Sequence, residues 1–306
     1  MPTPSLDRRF VLQAVLAAGG CALVNPPAAA QAPVITRPIP SSGEQLPVVG
    51  LGSWITFNVG RDPQQRATCV EVVRAFFAGG GRLIDSSPMY GSAQSVIGDA
   101  LARLGNPQTL FAADKVWTSS GGAQQIETSR TLWRIPRFDL LQVHNLLAWE
   151  AHLPLLQRMK AEKRLRYVGI TTSEGRRHGE FVNIMESQPL DFVQLSYNVL
   201  DREVENRILP LARERRIAVI VNRPFRQGDL TQALAGKPLP GWAREIGCTS
   251  WAQILLKFIV SHPDVTCAIP ATSNPAHARE NMLAARGLLP DAALRRRIVA
   301  DVQRLT

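Results

Sequence analysis

The stretch LIDSSPMYG, residues 83–91, holds a short apolar run followed by a cluster of polar groups. Its first two residues predict a buried strand, and Asp85 stands where that strand ends. Tyr90 follows five residues later, beyond a turn that the intervening proline and the next glycine favour. A carboxylate and a phenol placed in this way can share one pocket, provided that a cation and a second proton donor join them.

Two more ionisable residues lie near the ends of apolar runs further along the chain. Lys115 belongs to LFAADKVW, residues 110–117, and His144 belongs to FDLLQVHN, residues 138–145. Both runs predict strands. Because the carboxyl ends of successive parallel strands meet on one side of a barrel, these two groups and the carboxylate and phenol above predict one active site.

Strand-like and helix-like segments alternate along the chain beyond residue 33. Two β-like runs at 34–39 and 46–51 flank a polar turn, which predicts an N-terminal hairpin. The predicted barrel strands are residues 48–51, 82–85, 110–115, 140–144, 167–171, 192–197, 218–222 and 267–270. The predicted helices are residues 64–77, 92–104, 123–133, 150–161, 175–185, 201–215 and 250–261. This alternation predicts an α/β fold, a (β/α)8 TIM barrel, and the spacing of the tail after Gly287 predicts an additional C-terminal helix.

The N-terminal residues predict a signal peptide and not a part of the fold. Arg8 and Arg9 precede an apolar stretch at 10–16, and small residues before residue 33 offer cleavage sites. The run DRRFVL resembles a twin-arginine export signal, which implies the twin-arginine export machinery as a partner. We therefore expect a signal peptide over residues 1–32, a single barrel over residues 33–306, and a periplasmic or exported protein. A disordered N-terminus on a cytoplasmic protein is the alternative.

Composition and charge argue against several other classes of protein. The 306-residue chain is 45% hydrophobic and 20% charged, which is ordinary for a globular enzyme. Its formal net charge of +10 comes from scattered basic residues without a nucleic-acid-binding motif, so we predict solvated helix faces and no nucleic-acid partner. The N-terminal apolar stretch is too short and too rich in glycine for a stable membrane span. Cys69, Cys248 and Cys267 show no CxxC or zinc spacing, so we expect buried core thiols and no metal site.

Five motifs, in this order, resemble the aldo-keto reductase family over nearly the whole predicted barrel. They are SGEQLPVVGLGSW at 42–54, IDSSPMYG at 84–91, KVW at 115–117, QVHN at 142–145 and REN at 279–281. The resemblance implies that an aldehyde or ketone group is reduced to an alcohol by hydride from NAD(P)H. It also implies that Tyr90 is the general acid and that His144 orients the carbonyl oxygen. Lys115 would activate the phenol, and Asp85 would keep Lys115 charged and in place.

These roles have a chemical basis in the residue types. A tyrosine phenol has an ordinary pKa of about 10 and is a poor acid at neutral pH. A neighbouring ammonium stabilises the phenolate, so we expect Lys115 to lower the pKa of Tyr90. The alternative is a structural ion pair between Asp85 and Lys115, with a tyrosine and a histidine nearby by chance.

The resemblance implies a nicotinamide cofactor, with NADP favoured and NAD as the alternative. The GLG of residues 50–52 lacks the third glycine of a Rossmann fingerprint and opens no helix, so that mode of binding is not expected. The residues implied to bind the cofactor are Gly52, Ser53, Trp54, Asp85, Thr171, Thr172, Gln194, Asn222, Arg223, Pro224, Phe225, Gly228, Thr272, Arg279, Glu280 and Asn281.

Several of these positions depart from the family's pattern. At residues 171–172 two threonines stand where the family has Ser-Asn, and Asn222 stands where the family stacks an aromatic ring on the nicotinamide. Ala271 and His277 replace a lysine and an arginine that hold the additional phosphate of NADP. We therefore expect looser stacking and a weaker preference for NADP, with Arg279 as a compensating cation.

The substrate is expected to be a small-molecule carbonyl compound. Trp54 and Trp117, with Tyr90 and His144, are predicted to line its pocket, because flat apolar walls accept aromatic or aliphatic carbonyl compounds. Packing at the barrel rim is the alternative for the two tryptophans. Two functions stay open: a working reductase, which the intact set of four residues favours, and a cofactor-binding accessory or sensing barrel with little or no turnover, which the predicted export favours.

Overall fold

The computed structural model describes residues 32–306, so the predicted signal peptide lies outside the described residues except for its last position. Eight parallel strands form the central sheet in the order in which they follow one another along the chain, and a separate antiparallel hairpin precedes them. The hairpin strands are β1 (Thr36–Pro38) and β2 (Gln45–Pro47), and the barrel strands are β3 (Leu51–Gly52), β4 (Leu83–Asp85), β5 (Phe111–Val116), β6 (Leu140–Val143), β7 (Tyr167–Thr171), β8 (Phe192–Ser196), β9 (Ala218–Asn222) and β10 (Cys267–Ala268).

The sheet closes where its first strand meets its last. Parallel bridges join Val49 to Ala268 and Gly52 to Ala271, and the Gly50 N–H donates to the Ala268 carbonyl at 2.8 Å. A Cβ at Gly50 or Gly52 would lie 2.9 Å or 2.7 Å from a backbone oxygen of a neighbouring strand, so only glycine lets the strands approach this closely. The predicted (β/α)8 barrel is confirmed.

Alternation along the strands divides the interior of the barrel into an apolar and a polar part. The apolar part, toward the amino ends of the strands, consists of Leu83, Phe111, Ala113, Leu140, Tyr167, Phe192, Ala218, Ile220, Cys267 and Ile269, together with Ile39 and Leu46 of the hairpin. Because side chains two residues apart share a face, the next inward positions carry Asp85, Lys115, Gln142 and Gln194, all of them buried. The polar groups are therefore gathered at the carboxyl ends of the strands.

Ten α-helices surround the sheet in residues 32–306, and the predicted C-terminal helix is confirmed as the last of them. They are α1 (Pro63–Ala78), α2 (Ala93–Arg103), α3 (Gly122–Trp133), α4 (Trp149–Ala161), α5 (His178–Ser187), α6 (Ile208–Glu214), α7 (Asp229–Ala233), α8 (Trp251–Val260), α9 (Pro275–Leu283) and α10 (Ala292–Leu305). Helix α1 begins where the Asp62 carboxylate accepts from the N–H groups of Gln64 and Gln65, with proline at the first helical position.

The hairpin is anchored at the amino ends of the strands. The Glu44 carboxylate, in the turn between β1 and β2, accepts hydrogen bonds from Arg82, Arg166 and the Tyr167 hydroxyl. The Tyr167 hydroxyl also lies 2.8 Å from the Ser42 hydroxyl. These contacts fix the hairpin on one end of the barrel and leave the carboxyl ends of the strands free for a site.

Two helices begin later than the sequence predicts. Helix α5 starts three residues after the predicted position, because Gly175 and Arg177 take left-handed backbone conformations with φ of 69° and 54°. Helix α6 starts seven residues late and follows a short 3-10 turn at Glu203–Glu205. Pro210 lacks the N–H that an earlier helical start would require, so it is accommodated in the first turn.

Helices α7 and α9 are not among the helices that the sequence predicts. Helix α9 occupies most of residues 271–281, the segment that follows the eighth barrel strand. Its beginning has recognisable signals, since Asn274 caps the Ala276 N–H with its side chain and Pro275 is the first helical residue.

Cys69, Cys248 and Cys267 are buried and free, as predicted. Over residues 32–306, no helix combines the length and the apolar character that crossing a membrane requires. Within the same range, no three or more His, Cys, Asp or Glu side chains are grouped so that they could hold a metal ion.

Candidate active site

An ion pair between Asp85 and Lys115 lies at the centre of the polar part of the barrel. The Lys115 Nζ donates to Asp85 Oδ2 at 2.5 Å and to the Ser86 carbonyl at 2.8 Å, and the two charged side chains are 0% and 2% exposed. Burial on its own would lower the pKa of Lys115, but the neighbouring Asp85 carboxylate and Tyr90 raise it above its ordinary value. Lys115 is therefore an ammonium at neutral pH.

The second oxygen of Asp85 is held by two glutamine amides from other strands. Gln194 Nε2 donates to Asp85 Oδ1 at 2.9 Å, and Gln142 Nε2 donates to the same atom at 3.4 Å. Donors on both oxygens fix the orientation of the carboxylate. Gln142 was not among the predicted site residues, although its inward position follows from strand alternation.

Tyr90 reaches the ion pair from the 3-10 turn Pro88–Tyr90 that follows β4. The Lys115 Nζ lies 5.1 Å from the centroid of the Tyr90 ring. Burial raises the pKa of the Tyr90 phenol above its ordinary value; the charge of Lys115 opposes this shift, and the charge of Asp85 adds to it. The expected effect of Lys115 is present, since its ammonium lowers the pKa of Tyr90, but desolvation by burial outweighs it. The phenol is therefore protonated throughout the neutral range.

His144 completes the group and is neutral. Burial, followed by the positive charge of Lys115, lowers the pKa of His144 to about 2. Its ring packs edge-on against Tyr90, with ring centroids 5.7 Å apart and planes at 87°. The structure thus brings together all four residues that the sequence singled out for catalysis.

Ser87 fixes the orientation of His144 and was missed by the sequence reasoning. Its hydroxyl oxygen lies 2.8 Å from His144 Nδ1 and accepts from the Met89 N–H at 3.2 Å. The hydroxyl hydrogen is then free to point at Nδ1, which places the proton of the neutral imidazole on Nε2. The signal was present in the sequence, because Ser87 lies within the stretch that carries the carboxylate and the phenol.

Three of the four residues, Asp85, Tyr90 and His144, border one large cavity at the carboxyl ends of the strands. Its volume is about 820 Å³, which is within the range of small-molecule and cofactor sites. The predicted residues that line it are Gly52, Ser53, Trp54, Asp85, Tyr90, His144, Thr171, Gln194, Asn222, Arg223, Pro224, Phe225, Gly228, Thr272, Glu280 and Asn281. Lys115 lies behind Asp85 and is fully buried.

Three of the predicted binding residues do not line the cavity. Thr172 donates its hydroxyl to the Arg176 carbonyl at 2.5 Å, so its side chain is used within its own loop. Arg279 donates to the Pro275 carbonyl at 3.3 Å in the first turn of its own helix. Trp117 is 40% exposed just beyond β5 and does not form part of the wall.

The rim of the cavity carries a cluster that the sequence did not reveal. Arg223 forms an ion pair with Glu174, and its guanidinium carbon lies 5.4 Å from the centroid of the Trp54 ring. Asn222, just below, donates to the Thr172 carbonyl at 3.1 Å and accepts from the Ser196 hydroxyl at 2.6 Å. Loops after β3, β7 and β9 are thereby tied together across the mouth of the barrel.

A nicotinamide dinucleotide fits the residues present. The lining extends from Tyr90 to the N-terminus of α9, where backbone N–H groups and the helix dipole favour an anionic group. Thr272, Glu280 and Asn281 offer hydroxyl, carboxylate and amide partners at that end, and Arg223 offers a cation along the wall. A long ligand with a polar end and an anionic middle requires groups of these kinds.

Comparisons with known proteins bear on the family and the fold of this chain. The model of the Aldo/keto reductase family matches residues 48–296. Methylglyoxal reductase YeaE of Escherichia coli (strain K12) is 28% identical over 250 residues, covering 79% of this chain and 86% of that protein. The NADH-specific methylglyoxal reductase of the same organism is 25% identical over 319 residues, covering 83% and 94%. A crystal structure of an aldo-keto reductase from Klebsiella pneumoniae in complex with NADPH has a TM-score of 0.68 at 22% identity, covering 89% of this chain and 95% of that chain, and shows likeness of fold alone.

Proposed function

The chain belongs to the aldo/keto reductase family of oxidoreductases, and from this premise we propose that it reduces the carbonyl group of a small aldehyde or ketone with hydride from a nicotinamide dinucleotide. The observation that carries the proposal is the burial of Asp85 and Lys115 directly behind Tyr90 and His144, which border one cavity. A bound nicotinamide dinucleotide supplies the hydride to the carbonyl carbon. The protein then has to place the substrate and deliver one proton to its oxygen.

Tyr90 is the proposed proton donor. Because burial keeps the pKa of the phenol above its ordinary value, the proton stays on Tyr90 until negative charge develops on the substrate oxygen. Lys115 stabilises the phenolate that remains, and Asp85 holds the ammonium in place through the 2.5 Å contact. Lys115 therefore acts mainly by stabilising the phenolate that forms when Tyr90 has given up its proton.

His144 is proposed to orient the carbonyl group. With Nδ1 occupied by the Ser87 hydroxyl, the Nε2–H is available to the substrate oxygen. A neutral imidazole keeps this donor at any pH well above its pKa of about 2. The carbonyl oxygen therefore receives a fixed hydrogen bond before the proton arrives.

NADP is the proposed cofactor, with NAD as the alternative. A structural neighbour holds NADPH and one relative is NADH-specific, so neither cofactor is foreign to proteins that resemble this chain. Arg279 does not face the cavity, so at that end a phosphate would rely mainly on the helix N-terminus. Quenching of tryptophan fluorescence gives both dissociation constants: tighter binding of NADPH supports the proposal, and tighter binding of NADH reverses it.

Methylglyoxal is the proposed first substrate to test, since two relatives are reductases of that compound. Cofactor oxidation by purified residues 33–306 is followed with methylglyoxal and with a set of larger aldehydes and quinones. Turnover with any of these carbonyl compounds supports a working reductase. Tight binding of the cofactor without turnover supports the accessory or sensing function instead.

We also propose that residues 1–32 are a twin-arginine signal and that residues 33–306 are a single exported barrel. The basic pair Arg8-Arg9 ahead of an apolar stretch supports this. Cell fractionation of the full chain, with Arg8→Lys/Arg9→Lys as the control, tests it. Periplasmic protein that the double substitution retains in the cytoplasm is the expected result, and an uncut cytoplasmic protein in both cases contradicts the proposal.

A further inference from the structure

Asp114 is a carboxylate buried on the outer face of strand β5. It follows from strand alternation that its side chain points away from the barrel interior, opposite to Lys115. Ala112 and Val116 share its face and belong to the hydrophobic core between sheet and helices. Asp114 itself is 0% exposed. A carboxyl group therefore interrupts the apolar outer face of β5, at the residue that precedes the active-site Lys115 in the strand.

A cage of donors from helices α2 and α3 surrounds this carboxylate. Gln94 Nε2 donates to Asp114 Oδ2 at 2.8 Å, and Trp133 Nε1 donates to the same oxygen at 2.6 Å. The Lys115 backbone N–H donates to Oδ1 at 2.7 Å. Gln94 Nε2 also contacts the Ser129 hydroxyl at 2.9 Å. All three donors to Asp114 suit an ionised carboxylate.

The same cage also suits the protonated acid. If Oδ2 of Asp114 carries a proton, a rotated Gln94 amide presents its oxygen to that proton. The Ser129 hydroxyl then donates to Gln94 where it accepted before, because a hydroxyl can do both. Trp133 and the Lys115 N–H keep their acceptors. The Asp114 carboxyl group therefore has hydrogen-bond partners in both charge states, which reduces the cost of changing between them.

Asp114 therefore titrates in the neutral range. Burial raises the pKa of Asp114 to about 7, although the Lys115 N–H, the charge of Lys115 and the Gln94 amide each lower it. The charged groups coupled to it are Lys115 and Asp85. On the two helices that cover it, the acidic side chains form ion pairs with arginines: Asp99 of α2 with Arg66 and Arg134, and Glu127 of α3 with Arg130.

We propose that Asp114 is a positioning residue that adjusts the acid strength of Tyr90 through Lys115, according to whether it carries a charge. The coupling is electrostatic and acts across the strand, because Asp114 Oδ1 accepts the Lys115 backbone N–H at 2.7 Å and the charge of Asp114 raises the pKa of both Lys115 and Tyr90. When Asp114 is ionised, the phenol holds its proton more tightly and donates it less readily. When Asp114 is protonated, the phenol is the stronger acid. The kinetic consequence rests on the proposed function.

The expected effect is a fall in kcat as pH rises through about 7. We expect the fall to be about threefold, because proton-transfer rates follow acid strength only in part. The neutral variant Asp114→Asn lacks the titrating group, so its kcat stays level across this range. Gln94→Leu removes a donor that favours the charged form, so its inflection moves to higher pH.

The coupling has a second readout that needs no turnover. The chain has three tyrosines, so the near-ultraviolet absorbance of phenolate follows few groups, and Tyr90→Phe identifies the step that belongs to Tyr90. At alkaline pH, Asp114→Asn should move that step to lower pH, because a negative charge near the phenol is gone. Ser129→Ala, which perturbs the same cage but retains the charge, should leave it in place.

The two readouts separate failure of this inference from failure of the proposed function. An unchanged Tyr90 titration in Asp114→Asn overturns the coupling whether or not the protein reduces carbonyl compounds. An active wild-type enzyme whose kcat inflection persists in Asp114→Asn also overturns it. If Asp114→Asn does not fold, Gln94→Leu decides the question, and an inflection that stays at the wild-type pH contradicts the proposal.

Discussion

Replacing Lys115 with methionine removes one charge from a pair that has almost no contact with solvent. In Lys115→Met, Asp85 Oδ2 loses the donor that lies 2.5 Å away, and the Ser86 carbonyl loses the donor at 2.8 Å. Only Asp85 Oδ1 keeps its partners, the amides of Gln194 and Gln142. Leaving one member of a buried ion pair unpaired costs about 3–5 kcal/mol.

This cost should be visible as a fall in Tm. For a domain of this size, 1 kcal/mol corresponds to about 2–4 °C, so we expect a fall of about 10 °C in a calorimetric or dichroism scan at pH 7. The double substitution Asp85→Asn/Lys115→Met removes both charges and should recover about half of the loss, because no buried charge is left alone. In both variants kcat should fall by about 100-fold or more, because the phenolate loses its stabilising cation.

Lys257→Met is a matched control for removing a buried ammonium. The Lys257 Nζ donates to three backbone carbonyls, of Ile246, Arg286 and Leu288, each at 2.7 Å, and lies away from the cavity lining. Lys257→Met should lower Tm but leave kcat close to that of the wild type. A Lys115→Met protein as stable as the wild type, or a double variant less stable than Lys115→Met, would refute the reasoning about the buried pair.

Three further predictions concern the groups around the proton donor. Ser87→Ala removes the partner of His144 Nδ1, so steady-state kinetics should show kcat lower by about tenfold, equivalent to a buried hydrogen bond of about 1.4 kcal/mol; an unchanged kcat would show that Ser87 does not set the tautomer. The folded protein keeps the pKa of His144 below its ordinary value. As pH falls below about 6.5, His144 therefore takes up a proton in the unfolded chain but not in the folded protein. The free energy of unfolding should fall by about 1.4 kcal/mol per pH unit for this reason. Denaturant unfolding between pH 4 and pH 7 should therefore show a shallower slope for His144→Asn, and equal slopes would count against a buried neutral imidazole. Glu174→Gln releases the Arg223 guanidinium for an anionic ligand, so fluorescence titration should give a dissociation constant for NADPH that is several-fold lower, whereas weaker binding would mean that Arg223 must be held by Glu174.

Strand alternation explains why much of the site could be predicted from the sequence. Asp85 and Lys115 occupy inward positions near the ends of adjacent strands, so their pairing follows once the strands are recognised. Tyr90 and His144 lie in short turns directly after such strands, so recognising the strands also places these two residues. Local signals of this kind require no knowledge of distant contacts.

The features that were missed depend on contacts between distant segments. Asp114 stands beside Lys115, yet its role depends on Gln94 and Trp133, which approach only when helices α2 and α3 pack on the sheet. The Glu174–Arg223 pair likewise joins two loops that are 49 residues apart in the chain. No periodicity or motif predicts such pairs.

The sequence was a less reliable guide to residues just beyond the ends of strands and to residues of a helix that was not predicted. Trp117 follows β5 directly, but whether a residue just beyond a strand faces the cavity depends on the path of the loop, and here it faces solvent. Helix α9 was not predicted, and it turns the Arg279 guanidinium back to the Pro275 carbonyl. Desolvation of Tyr90 is also a property of the folded cavity, which is why the sequence indicated the effect of Lys115 on the pKa of Tyr90 but not the larger effect of burial.

The most direct test of the proposed chemistry is kcat for carbonyl reduction by Tyr90→Phe, measured beside the wild type with saturating cofactor. Phenylalanine keeps the ring that packs against His144 and removes only the hydroxyl that donates the proton. We predict that kcat falls by about 100- to 10,000-fold while the cofactor dissociation constant stays within a factor of about two. Turnover by Tyr90→Phe at the wild-type rate would contradict the assignment of Tyr90 as the general acid.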